Sequence, residues 1–130
     1  MSAAQQNHLL GALPEEVRQR LLPALKPVEL KLGKVLYESG DSLSHVYFPV
    51  DSIVSLLYVM ENGASAEIAV VGNEGLVGVA VFMGGESTPS RAIVQSAGTA
   101  WKLPAQKLKD EFNRHGEMLL LMLRYTQSLI

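Results

Sequence analysis

The sequence predicts a mainly β fold with helices at both ends, a sandwich or jelly roll of antiparallel strands. Three observations predict it. Short segments alternating apolar and polar residues recur between 28 and 103, clusters of Gly, Asn, Asp and Ser separate them at regular intervals, and no long helix interrupts them. The β-helix-β order of a parallel sheet is missing.

The first 27 residues read as two short lead-in helices. Leu9, Leu10 and Leu13 form an apolar face, and Pro14 suits a first helical position that needs no N–H. Glu15 and Glu16 favour the positive end of the helix dipole, and Val17, Leu21 and Leu22 continue the apolar stripe up to Pro23. The glutamate pair has no titratable neighbour and reads as capping and solvation rather than acid-base catalysis.

From Pro27 the period changes. Val28-Glu29-Leu30-Lys31-Leu32 alternates, Gly33-Lys34 turns, and Val35-Leu36-Tyr37-Glu38 runs to the break at Ser39-Gly40-Asp41. His45-Val46-Tyr47-Phe48-Pro49-Val50 and 52–60 follow, and Asn62-Gly63 before Ala66-Glu67-Ile68-Ala69-Val70-Val71 is a hairpin signal. Ala92-Ile93-Val94-Gln95-Ser96 and Thr99-Ala100-Trp101-Lys102-Leu103 close the β region around Ala97-Gly98. Pro104 restarts helix, with Leu108 and Phe112 one turn apart and Lys107, Lys109, Asp110 and Glu111 turned outward. A second helix begins near Glu117, apolar on all sides at first. Met118, Met122, Tyr125 and Leu129 then alternate spacings of four and three, which fits both packing within the domain and a dimer seam. The chain thus divides into lead-in helices over 1–27, a roll over 28–103 and C-terminal helices over 104–130, all within one domain.

Composition narrows the function. At 130 residues the chain buries one core, and without cysteine it has neither disulfide nor thiolate metal site, which fits a reducing, cytoplasmic setting. The apolar run 118–123 is too short to span a bilayer, and the N-terminus lacks the basic start of an export signal, so no membrane role is expected. Net charge is −2 with no dense Lys/Arg cluster, so this chain does not grip nucleic acid itself. Charged residues make up 18%, below the roughly 25% of an average domain, which suits a surface partly hidden in a partner.

The most informative stretch is 72–92, where Gly72, Gly75 and Gly78 recur every third residue ahead of an apolar segment, a polar loop and Arg91. Glycines permit positive φ and close backbone approach, amide groups at a helical start face an anion, and a guanidinium can close over a phosphate. Its structural alternative is a turn followed by close packing of a short helix. The glycine spacing is wrong for a dinucleotide fingerprint, and Ser87, Thr88 and Ser90 lack a nucleophile-elbow pattern.

These elements, in this order, resemble the effector domain of the Crp/Fnr regulators, the cyclic-nucleotide-binding jelly roll. The likeness rests on Leu10, Leu13-Pro14 and Leu22-Pro23, on Leu36-Tyr37-Glu38-Ser39-Gly40-Asp41 and Val46-Tyr47-Phe48, and on the run from Gly75 to Ala92 where that family has its phosphate cassette. The resemblance implies a non-enzymatic sensor with ligand contacts at Gly78, Val79, Ala80, Ser90, Arg91 and Ala92, and a further contact at Tyr125; Glu86, in the loop, either replaces the family's carboxylate or, near a phosphate, repels it. It implies a homodimer through Met118, Met122, Tyr125 and Leu129, and DNA contact only through a helix-turn-helix following Ile130.

Two departures qualify the ligand. Val79 stands where nucleotide-binding relatives have a glutamate for the ribose hydroxyl, a loss of ~1.5–3 kcal/mol. Aligned on Ala92, Ser90 takes the arginine position and Arg91 falls one residue late, so strand parity decides whether it enters the roll. A small anionic effector is expected, a cyclic nucleotide being one candidate, and no cofactor is required. Rival readings are a ligand-free dimerisation module and a cupin-type metal enzyme. The latter needs converging histidines, whereas His8, His45 and His115 belong to different segments. Trp101 reads as core in an alternating strand rather than as a purine-stacking residue.

Overall fold

In a computed structural model of the chain, the described residues are 6–78, 90–114 and 124. Helices α1 (His8–Ala12) and α2 (Glu15–Leu21) lead through a 3-10 turn, Leu22–Ala24, into the strands. These are β1 (Lys26–Leu30), β2 (Val35–Tyr37), β3 (His45–Pro49), β4 (Ile53–Val59), β5 (Ser65–Val71), β6 (Ser90–Ser96) and β7 (Gly98–Pro104), followed by helix α3 (Ala105–Arg114). They form an antiparallel jelly roll of two sheets, ordered β1-β7-β3 and β2-β6-β4-β5.

The alternation of β7 explains the layering. Trp101 and Leu103 lie opposite Phe48 and Val46, and this face packs on Leu9, Leu10, Leu13, Val17, Leu21 and Leu108 of the helices. Its other face carries Ala100, which joins Leu30 and six residues of the four-stranded sheet in the inter-sheet core. A sheet with buried apolar residues on each face therefore sits between a helical layer and a second sheet. Trp101, half-buried, belongs to the helix-facing side.

The Asn62-Gly63 signal forms a hairpin with a five-residue loop. Met60 N donates to Ala64 O at 2.8 Å, Asn62 Oδ1 accepts from Ala64 N at 3.0 Å, and Gly63 takes φ +86°. Leu32 departs from the alternation read in sequence. β1 ends at Leu30, and Leu32 falls in the turn closed by Lys34 N to Lys31 O, 72% exposed.

Glu111 is a second departure: expected outward, it is 4% exposed. Arg20 of α2 explains it, donating Nε to Oε1 and Oε2 at 3.0 and 2.8 Å and Nη2 to Oε1 at 2.8 Å. A carboxylate leaves water only when charge and donors replace its hydration, as this forked contact does. No helix among the described residues is long and apolar enough to cross a membrane.

Candidate functional site

The glycine run separates into a structural turn and one sterically required position. Gly75 N donates to Gly72 O at 3.3 Å, closing a turn whose carbonyls hold the lead-in helix. Asn73 O accepts from His8 N at 2.7 Å, and Gly75 O accepts from Asn7 Nδ2 at 2.9 Å. Asn7, fully buried, also donates to Pro49 O at 2.7 Å and caps α1 through Oδ1. Sequence reading missed it because its partners lie 42 and 68 residues away. The only available signal was an Asn just before an apolar helix.

Gly78 has the conformation a close backbone approach requires. Its φ is +115°, and an added Cβ would lie 2.8 Å from Val46 Cγ1. The preceding residue fixes it to the roll, since Val77 N donates to Tyr47 O at 2.7 Å and Tyr47 N to Val77 O at 3.0 Å. The described backbone runs beside β3 up to Gly78 and resumes at Ser90, the first residue of β6. Val79, Ala80 and Glu86 lie outside the described residues, as do Met118, Met122, Tyr125 and Leu129.

Strand parity places the other site residues. Along β6, Ser90, Ala92 and Val94 are buried, while Arg91 and Ile93 are only half-buried. Ala92 lies opposite Leu56 and Tyr37 in the inter-sheet core, so Ser90 shares its inward face. Arg91 lies opposite Leu57 on the outer face and pairs with Glu38, just after β2. Its Nε is 2.9 Å from Glu38 Oε1, and Nη2 donates to Oε2 at 3.1 Å. The buried Nε–H is not directed along its short separation, so that contact is coulombic and the Nη2 contact is the hydrogen bond.

The inward face of the three-stranded sheet carries the remaining charge. Lys26, Lys102 and Tyr47 form one row across β1, β7 and β3, with His45 two residues before Tyr47. Partial burial, then the fields of Lys102 and Lys26, hold the His45 imidazole below its ordinary value of 6.5. Burial raises the Tyr47 phenol. At the β7 start, Asp51 accepts from Thr99 N and from Thr99 Oγ1 at 2.8 Å, which lowers its carboxyl. No cluster of three potential metal ligands exists among the described residues.

A family model described as the cyclic nucleotide-binding domain matches residues 27–115. No curated protein matches the chain. Among solved structures, the N-terminal domain of a transcriptional regulator from Streptomyces coelicolor A3(2) is similar at 22% identity and TM-score 0.68, covering 98% of this chain and 89% of that one. The sensor domain of the transcriptional regulator DNR from Pseudomonas aeruginosa aligns at 17% identity and TM-score 0.76, over 95% and 83%. The regulatory subunit of a cAMP-independent protein kinase A from Trypanosoma brucei aligns at 16% identity and TM-score 0.78, over 93% of this chain and 43% of that one.

Proposed function

Because the chain belongs to the cyclic nucleotide-binding domain family, we propose that it is the effector-sensing, dimer-forming part of a DNA-binding transcription regulator of the Crp/Fnr type. It performs no chemistry. A small molecule in the roll favours one placement of the helices after β7. The dimer passes that placement to a DNA-binding domain. The residues expected to form the dimer are Met118, Met122, Tyr125 and Leu129, and the expected setting is the cytoplasm.

The observation that carries this reading is the tied helical layer. Asn7 and His8 hold the glycine turn ahead of Gly78, the lead-in helices pack on Leu108, and Arg20 clamps Glu111 of α3. One end of the layer rests on the base of the cassette segment, and the other on the helix leading to the expected dimer residues. A shift at the turn therefore reaches α3 through packed side chains and three polar ties.

Surface composition also supports a partner. Six of the eight exposed large hydrophobics among the described residues, Ile53, Tyr58, Val59, Met60, Ile68 and Val70, fall on or beside β4 and β5. Such concentration on one hairpin suits a surface that an assembly covers.

Hydrogen exchange on Asn7→Ala tests the sensor route without needing the effector. Amides of 72–78 and of α3 are expected to exchange faster together; acceleration confined to 72–78 would break it. Sedimentation tests the dimer: the chain should sediment as a dimer and Met122→Glu with Leu129→Glu as a monomer. Identical behaviour of both proteins removes the assembly role.

A further inference from the structure

We propose that the effector is recognised without a charged contact from β6 and is not a phosphodiester: strand parity sets Arg91 outside the roll, where it pairs with Glu38, and Ser90 faces inward in its place. The inference rests on the effector-sensing reading and names its ligand class, an uncharged molecule that is largely apolar and carries a hydrogen-bonding group.

Arg91 is the sole Lys or Arg between Lys34 and Lys102 in the sequence. Neither the four-stranded sheet nor the segment between Gly78 and Ser90 holds another cation of that type. This one lies on the outer face, opposite Leu57, with both contacting nitrogens on Glu38. Turning it inward by a one-residue slip of β6 would swing Ala92 and Val94 out of the inter-sheet core. Ser90, 5% exposed on the face of Ala92 and opposite Tyr58, is neutral, and Tyr37, Leu56, Val54 and Val94, further along the same inward face, carry no charge at neutral pH.

A phosphodiester would enter such a wall with its charge unpaired, which a low-dielectric interior strongly disfavours. A neutral ligand has no such cost. The competing locus is the row of Lys26 and Lys102 beside Tyr47, on the opposite sheet and with Lys26 exposed.

Calorimetric titration with cyclic AMP and cyclic GMP at millimolar concentration tests the inference on four proteins. The unaltered chain and Arg91→Ala are expected to give no saturable heat. Ser90→Arg combined with Arg91→Ser, which exchanges the two faces, should give saturable heat, since one charged hydrogen bond is worth at least roughly 10-fold in affinity. Lys102→Gln reports on the competing locus.

Saturable binding by the unaltered chain overturns the inference and leaves the effector reading standing. Its loss in Arg91→Ala or in Lys102→Gln then identifies the cation responsible. An exchanged protein that keeps the circular dichroism and melting cooperativity of the unaltered chain yet gives no heat overturns the inference, because the direction of the arginine then does not decide nucleotide binding, and leaves the effector reading standing. If the exchange prevents folding, Glu38→Gln takes its place: freed from its ion pair, Arg91 should still leave the nucleotides unbound, and binding by this variant overturns the inference.

Discussion

At Gly78 a methyl group would meet Val46 Cγ1 at 2.8 Å on a backbone already at positive φ. Gly78→Ala is therefore expected to cost about 1–3 kcal/mol in urea unfolding. Gly72→Ala, with open space around the added carbon and no positive φ, should cost far less. Asn7→Ala leaves Pro49 O, Gly75 O and Leu10 N without their side-chain partner, and a loss of about 2–4 kcal/mol is expected from the same measurement. Arg91→Ala removes a partly exposed ion pair and should change stability by less than about 1 kcal/mol. A larger loss would give that arginine a structural role beyond Glu38.

Among the elements, the β4–β5 hairpin was legible because its information is local: Asn62-Gly63 lies between two alternating segments, and the loop bonds close within five residues. Arg91 was not legible, because strand parity needs an anchor and that anchor is the pairing of Ala92 with Leu56. Glu111 was misread for a related reason. On α3 its neighbours Lys109 and Asp110 mark a solvated face, and only Arg20, 91 residues earlier, draws it inward. Strand β5 is an edge with Ile68 and Val70 exposed. Val70→Lys should thus leave the thermal midpoint nearly unchanged while lowering self-association in light scattering, if that face is the one an assembly covers. Unaltered scattering would free the hairpin of an assembly role.

For the molecule as a whole, two shifted groups shape stability on the acid side of neutral. His45 has its folded pKa lowered by burial and by Lys102 and Lys26, so the unfolded chain binds the proton first. Stability is complete above 6.5 and declines as pH falls from there toward the folded value; His45→Gln should flatten that decline in thermal melts. Asp51 has its folded pKa depressed by Thr99, so its contribution is present above the ordinary 3.8 and is lost as pH falls through the folded value. Asp51→Asn should blunt the lower limb of the profile. The three-stranded sheet adds a constraint in time rather than in energy. Its central strand is the last, β7, and its outer strand β1 comes first, so Lys26 meets Lys102 only when nearly the entire roll has been synthesised. On the ribosome, where residues emerge one by one, the two-sided sheet has no partial form. Closure waits for residue 104 and then fastens both layers together, a late event in a topology dominated by distant pairings.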